Sequence, residues 1–188
     1  MESDEISDEI DDIVLAGTPE QRIVRLRERI VDFEHGDDGR AAFLCALAGE
    51  LNLVGDFDGA RAASLAAIDD GGPTTIDPRC GLLMNELHAG EQARADEILS
   101  ELLARVRSGH LGEVECEWIA SSLEEADRLK DALRWYTIPL HDIDPDDIDE
   151  LPTHLLYGRY RVRRELGLPL DAYDLARELL VRLDDAES

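Results

Sequence analysis

Residues Arg40–Pro73 read RAAFLCALAGELNLVGDFDGARAASLAAIDDGGP, and this stretch decides the fold class that the sequence predicts. It predicts two short amphipathic helices joined by a tight turn at Gly55-Asp56, because apolar side chains recur at three- and four-residue spacing. These side chains are Leu44, Leu47, Ala48 and Leu51 on the first helix and Phe57, Ala60, Ser64 and Ala67 on the second. Two such helices cannot bury both faces of each other, so the stretch predicts helical neighbours.

The same hairpin pattern recurs toward the C-terminus. The turn residues Gly55, Gly90, Asp127 and Gly167 follow one another at intervals of 35, 37 and 40 residues. These intervals are close to the roughly 34 residues of a two-helix repeat. The sequence therefore predicts an all-α fold of four to five antiparallel helix hairpins in a single domain spanning residues 1–188. In the last helix, the pattern predicts Leu175, Leu179 and Leu183 facing inward.

The segment 1–17 is acidic but carries a stripe of apolar residues at helical spacing. The stripe consists of Ile6, Ile10, Ile13 and Val14. Two interpretations stay open here, a short helix that docks by this stripe and a frayed terminal segment. The following Thr18-Pro19-Glu20-Gln21 combines an N-cap, a proline at the first helical position and a glutamine for a capping box.

The hairpin at residues 40–73 resembles a tetratricopeptide repeat. Leu44, Leu47, Ala48 and Leu51 match its first-helix core positions, Gly55-Asp56-Phe57 its turn, and Ala60 and Ala67 its second-helix alanines. Residues 127–136, DRLKDALRWY, resemble the turn and second helix of another repeat. The chain from residue 40 onward also resembles actinobacterial tetratricopeptide-like proteins, of which some carry a cysteine-rich zinc tail of the SEC-C type. This sequence holds no such tail, so no zinc is expected. The resemblance implies a right-handed superhelical array.

In tetratricopeptide arrays, the first helices of the repeats line a concave groove that binds proteins or peptides. The resemblance therefore implies a groove that is acidic in its third repeat and basic in its fourth. Its lining would consist of Asn52, His88, Glu117, Ser121, Glu124, His154, Tyr157, Arg161 and Arg164. The asparagine and lysine pattern of chaperone-tail carboxylate clamps is missing, because Gly49 and Met84 occupy corresponding places.

Charge restricts the class of partner. The formal net charge is −25 and the isoelectric point about 4.3, so the surface repels phosphate backbones and anionic membranes. We therefore expect a neutral or basic protein or peptide as partner, with no nucleic acid and no membrane. Three isolated cysteines, an acidic N-terminus and no long apolar run predict a cytoplasmic protein.

No catalytic, cofactor or metal signature stands out in the sequence. The acidic segment 141–150 fails as an EF-hand loop, because Asp147 and Thr153 occupy the places that need glycine and glutamate. It is interpreted as a solvated linker. The five histidines are scattered and form no zinc pair. We expect no cofactor, no metal and no catalytic residue.

Two residue groups admit two interpretations each. Arg159, Arg161, Arg163 and Arg164 form a basic stretch in an acidic chain; internal pairing with acids is favoured over a carboxylate-binding end of the groove. The aromatic residues Trp118, Trp135 and Tyr136 are interpreted as core filling, with ligand stacking as the alternative.

The sequence thus predicts a non-enzymatic protein that binds another protein or a peptide in a concave groove. Two alternatives of other classes stay open. One is a helical-repeat enzyme that uses groove carboxylates such as Glu117 and Glu124, and the other is a ligand-sensing regulatory module. The oligomeric state does not follow from the sequence.

Overall fold

The computed structural model describes residues 3–187, and the side chains of residues 5–183. Met1, Glu2 and Ser188, which the predicted domain includes, lie outside the described residues. Within residues 3–187 the chain forms ten α-helices, two short 3-10 helices and no strand. The all-α prediction is therefore confirmed. The α-helices are α1 (Ser3–Val14), α2 (Pro19–Ile30), α3 (Arg40–Leu53), α4 (Phe57–Asp70), α5 (Pro78–His88), α6 (Gln92–Arg107), α7 (Glu113–Glu125), α8 (Leu129–Thr137), α9 (Thr153–Glu165) and α10 (Ala172–Glu187).

The chain divides into two compact units, Met1–Arg105 and Val106–Ser188. The boundary falls near the end of α6, so the first unit contains α1–α5 and most of α6, and the second contains α7–α10. The single-domain organisation stays a prediction. No helix within residues 3–187 has both the length and the apolar character that crossing a bilayer requires.

The core of the first unit forms around α3, which packs against α1, α2, α4 and α5. Ile6 on α1 is only 6% exposed and joins this core, while Ile10 and Ile13 pack against it partly buried. Helix α1 (Ser3–Val14) is therefore docked on this core by its apolar stripe. The buried members of the cluster are Ile6, Ile23, Leu26, Phe43, Leu47, Ala48, Leu51, Ala60 and Ala63.

Ion pairs fix the second predicted hairpin as antiparallel. Asp77, just before α5, lies 2.7 Å from Arg105 near the end of α6. Glu86 near the end of α5 lies 3.7 Å from Arg94 near the start of α6. Because the start of each helix meets the end of the other, the two helices run in opposite directions.

All four turn residues counted in the sequence adopt the left-handed backbone conformation. Their φ angles are 77° at Gly55, 76° at Gly90, 58° at Asp127 and 66° at Gly167. Such a residue ends a helix and reverses the chain, so these positions mark hairpin turns as predicted. Asp127 is the one non-glycine residue of the described chain with a positive φ, in line with the tolerance of aspartate for this region.

In the second unit α7 packs against both α8 and α9, and α9 packs against α8 and α10. The acidic side chains of the segment between α8 and α9 are exposed, as the solvated-linker interpretation predicts, but the start of the segment is attached to α10. The Tyr173 hydroxyl lies 2.7 Å from the carbonyl oxygen of Leu140 and 3.0 Å from that of Ile143. This long connection therefore has a fixed start against the core.

The prediction that the leucines of α10 face inward is wrong. Leu175, Leu179 and Leu183 are 56%, 43% and 49% exposed, whereas Asp174 and Ala176 are buried. Asp174 accepts hydrogen bonds from two guanidinium groups of α9. These charge-assisted bonds are stronger than neutral ones, and they set which side of α10 faces α9.

Candidate functional site

The second unit brings together six of the predicted groove residues on two neighbouring helices. Residues 117, 121 and 124 of α7 lie at spacings of four and three, and residues 154, 157 and 161 of α9 at spacings of three and four. Each set therefore shares one helix face, and α7 contacts α9 directly. We call this surface the α7–α9 face, made of Glu117, Ser121, Glu124, His154, Tyr157 and Arg161.

The strongest contact across the α7–α9 face joins Glu124 to Arg161. Arg161 Nε donates to Glu124 Oε1 at 2.5 Å and Nη2 donates to Oε2 at 2.7 Å. This two-point geometry is the favoured one between guanidinium and carboxylate. The hydrogen bonds from Arg161 hold the pKa of Glu124 below its ordinary value, and they raise the pKa of Arg161. Both groups therefore stay charged at neutral pH.

Tyr136 of α8 supports this ion pair from the core. Its hydroxyl donates to Glu124 Oε2 at 3.1 Å, lies 3.0 Å from Ser121 Oγ, and lies 3.4 Å from Arg161 Nη2. Burial raises the pKa of Tyr136, so the hydroxyl keeps its proton. The core-filling interpretation is confirmed for the rings of Trp135 and Tyr136, which are buried, and is wrong for Trp118, which is 43% exposed. It missed the polar role of the Tyr136 hydroxyl.

Gly158 of α9 makes room for the Tyr136 ring. A Cβ atom at this position would lie 2.3 Å from Tyr136 Cε1 and 2.4 Å from Cζ. Helix α9 therefore approaches Tyr136 more closely than any other residue type would allow. Sequence reasoning passed over Gly158, although a glycine inside a helical pattern is a signal of close packing.

The end of the α7–α9 face that carries Glu117 and His154 is less tightly paired than the end that carries Glu124 and Arg161. His154 Nε2 lies 3.8 Å from Glu117 Oε2, and each side chain is 39% exposed. Tyr157 is exposed as well, and the guanidinium of Arg177 lies 4.6 Å from its ring centroid. This end therefore offers an aromatic ring, an imidazole and a carboxylate to solvent.

The basic stretch of α9 is mostly engaged inside the unit. Arg159 and Arg163 bind Asp171 and Asp174 at the start of α10, and Arg161 binds Glu124 as described above. Internal pairing is therefore confirmed for these three arginines. Arg164 is exposed and has no ion pair within residues 5–183. The predicted contrast between an acidic and a basic repeat is reduced, because Glu124 and Arg161 neutralise each other.

The two predicted groove residues of the first unit form a separate polar contact. His88 Nδ1 lies 2.7 Å from Asn52 Oδ1, and Asn52 Nδ2 donates to Asn85 Oδ1 at 3.1 Å. Asn85 in turn donates to the carbonyl oxygen of Phe57 at 3.1 Å. Asn52 and Asn85 are buried, so these amides link α3, α4 and α5 within the unit.

We expect the Glu124–Arg161 pair to stabilise the fold in a pH-dependent way. Replacing Arg161 with methionine should lower the free energy of unfolding by about 1 kcal/mol at pH 7. Because the folded-state pKa of Glu124 is lowered, this contribution is present above the ordinary carboxyl pKa of 4.5 and disappears as the pH falls through the lower folded value. Urea unfolding of the wild type and the Arg161→Met variant from pH 7 to about pH 3 measures the difference in their free energies of unfolding. A difference that does not change with pH would contradict the assignment.

Within the described residues, no group of three or more His, Cys, Asp or Glu side chains is arranged to hold a metal ion. The chain matches no protein-family model, no curated protein and no solved structure.

Proposed function

We propose that this chain is a non-enzymatic helical-repeat protein of the tetratricopeptide kind, and that it binds a protein or peptide segment on the α7–α9 face. The observation that carries the proposal is the side-by-side packing of α7 and α9 with functional side chains on both helices. Two packed helices form a larger contact surface than one helix does, and repeat proteins bind extended peptides on surfaces of this kind.

The order of helix contacts supports a repeat architecture within each unit. In the first unit α3 contacts α5 past α4, and in the second α7 contacts α9 past α8. First helices of successive hairpins therefore touch each other, which is how repeat proteins build a continuous binding surface.

The chemistry of the face favours a neutral to basic partner. Tyr157 supplies an exposed aromatic ring, a residue type enriched among binding hot spots. Glu117 is half exposed and lies near a histidine rather than a permanent cation, so its carboxylate can accept a lysine or arginine. The chain carries a net charge of −25, which attracts basic segments and repels acidic ones over a distance.

The ionisation of Glu124 supports binding over catalysis. A carboxyl group that acts as a general acid or base near neutral pH needs a raised pKa. Here Arg161 lowers the pKa of Glu124, and the geometry holds both groups in an ion pair. We therefore favour the binding function over a helical-repeat enzyme that uses Glu117 and Glu124.

Affinity capture from the native host, followed by titration calorimetry with the captured partner, tests the proposal. We expect Tyr157→Ala combined with Glu117→Ala to weaken binding at least tenfold, because truncating a central aromatic residue costs about 1–2 kcal/mol or more.

A matched control changes the same kinds of contact elsewhere. Val31→Ala combined with Glu28→Ala removes one exposed apolar group and one exposed acid from the first unit. This variant should bind the partner with wild-type affinity. Equal affinity of the Tyr157/Glu117 variant and wild type would show that the α7–α9 face is not the binding surface.

A further inference from the structure

Helix α8 borders a pocket that is separate from the residues of the α7–α9 face. The pocket has a volume of about 470 Å³ and is open to solvent. Its walls are formed by Lys130, Leu133, Arg134, Thr137, Ile138 and His141. Its uncharged lining, which we call the floor, consists of Leu133, Thr137 and Ile138, and every ionisable group in the lining is a cation or a histidine. We call it the α8 pocket.

The two cations of the α8 pocket are not neutralised by any acid among the described side chains. Lys130 and Arg134 are exposed and have no ion pair among the side chains of residues 5–183. The nearby Asp131 is bound instead by Arg128, at 2.6 Å. Acids outnumber bases in the chain by 44 to 19, so a pocket lined by two cations and no carboxylate contrasts with the overall composition.

The spacing of these cations has a local cost. Residues four apart on a helix lie on the same side about 5–6 Å apart, and like charges at that spacing destabilise the helix. A carboxylate placed between Lys130 and Arg134 would remove this repulsion. The structure therefore presents a helix side that is more stable with an anion bound.

The floor of the α8 pocket is held in place from the core side. Thr137 Oγ1 donates to the carbonyl oxygen of Leu133 at 2.7 Å and accepts from Arg159 Nε at 3.2 Å. Arg159 is itself neutralised by Asp171 and Asp174. These contacts fix the Thr137 side chain, which lines the pocket together with Leu133 and Ile138.

From these features we propose that the α8 pocket binds an acidic amphipathic peptide segment of a partner protein, with an apolar side chain on the floor and carboxylates on Lys130 and Arg134. The pocket volume suits ligand binding, but pockets for small molecules bury most of the ligand surface. An open pocket leaves a small molecule largely in water, whereas a peptide covers the opening with its own chain. The net charge of −25 repels an acidic segment over a distance, whereas Lys130 and Arg134 attract it at contact. This surface therefore selects the opposite charge to the α7–α9 face, and it does not depend on the function proposed for that face.

Fluorescence anisotropy on the full chain tests the proposal. The probe is a short labelled peptide that places glutamates beside leucine and phenylalanine at helical spacing, and its matched control carries glutamine in place of each glutamate. We expect the acidic peptide to bind and the glutamine peptide to bind at least tenfold more weakly. Lys130→Glu combined with Arg134→Glu should weaken binding of the acidic peptide at least tenfold.

The matched protein control is Arg27→Glu combined with Arg107→Glu, which reverses two other exposed arginines and changes the net charge equally. It should bind the acidic peptide within twofold of wild type, and circular dichroism should show unchanged helix content in both variants. Equal losses in the two variants would mean a general charge effect and would overturn the proposal. Absence of peptide binding would also overturn the proposal. This includes the case in which the chain binds octanoate, a small amphipathic carboxylate, but not the peptide.

Discussion

Replacing Gly158 with alanine is expected to lower the free energy of unfolding of the second unit by about 2–3 kcal/mol. The new methyl group would lie 2.3 Å from Tyr136 Cε1, far inside contact distance, and Tyr136 is fully buried. Overpacking of this kind typically costs about 1–3 kcal/mol because neighbours must leave their preferred rotamers. The movement of Tyr136 would also break its hydrogen bond to Glu124, which adds to the cost.

Urea unfolding followed by tryptophan fluorescence measures this loss of stability in the second unit. Both tryptophans of the chain, Trp118 and Trp135, belong to the second unit, so the signal reports on it. The matched control is Gly49→Ala in α3 of the first unit, where an added Cβ meets nothing within 4 Å, and its unfolding is followed by circular dichroism. This change should raise stability by about 0.5–1 kcal/mol, because alanine restricts the unfolded chain more than glycine does.

A double variant identifies the cause of the Gly158 effect. Once Tyr136 is replaced by alanine, the added methyl group has no ring to meet, so Gly158→Ala should then cost less than about 0.5 kcal/mol. Equal costs in the two backgrounds, or a Gly158→Ala protein as stable as wild type, would show that the close approach to Tyr136 does not limit the packing of α9.

Replacing Arg61 with alanine is expected to cost about 3 kcal/mol in the first unit. Glu86 is 1% exposed, and its two carboxylate oxygens accept hydrogen bonds from Arg61 at 2.6 and 2.9 Å. Removing one partner of a buried ion pair leaves an uncompensated charge, which typically costs about 3–5 kcal/mol. We expect the low end of that range, because Arg94 still lies 3.7 Å from Glu86.

Two further variants separate the buried charge from other effects of losing Arg61. Adding Glu86→Met to the Arg61→Ala protein should recover most of the stability, since the unpaired carboxylate is then gone. Arg182→Ala removes an exposed pair with Glu178 four residues away and should cost only about 0.3–0.5 kcal/mol. Urea unfolding followed by circular dichroism measures all three. If Arg61→Ala cost no more than Arg182→Ala, the pair would not support the fold.

Local patterns explain why the helices and turns were predictable. Helical periodicity and turn residues act within a few positions, so Leu47 and Leu51 identified a core face and Gly55 and Asp127 identified turns. The rotation of α10 could not be predicted in this way. It depends on ion pairs from Arg159 and Arg163 to Asp174, which join different helices and compete with the leucine stripe for the buried side.

The same limit applies to the candidate site. The resemblance to a repeat family placed Glu124 and Arg161 on one surface, but a repeat register gives no distance between two helices. Their pairing therefore appeared only in the structure. Tyr136 escaped detection because burial of an aromatic ring is common, and nothing in the sequence shows where its hydroxyl points. Lys130 and Arg134 escaped because an unpaired cation is recognised only when every nearby acid is placed.

The three native cysteines are too unreactive to interfere with labelling at an introduced cysteine. Burial raises the pKa of the Cys45 and Cys116 thiols to about 12, and Cys80 is fully buried. Thiol reagents such as maleimides attack the thiolate, which these residues scarcely form at neutral pH. A cysteine introduced at an exposed position, such as Val31→Cys where the valine is 83% exposed, would therefore take up a fluorophore or spin label selectively, without removal of any native cysteine.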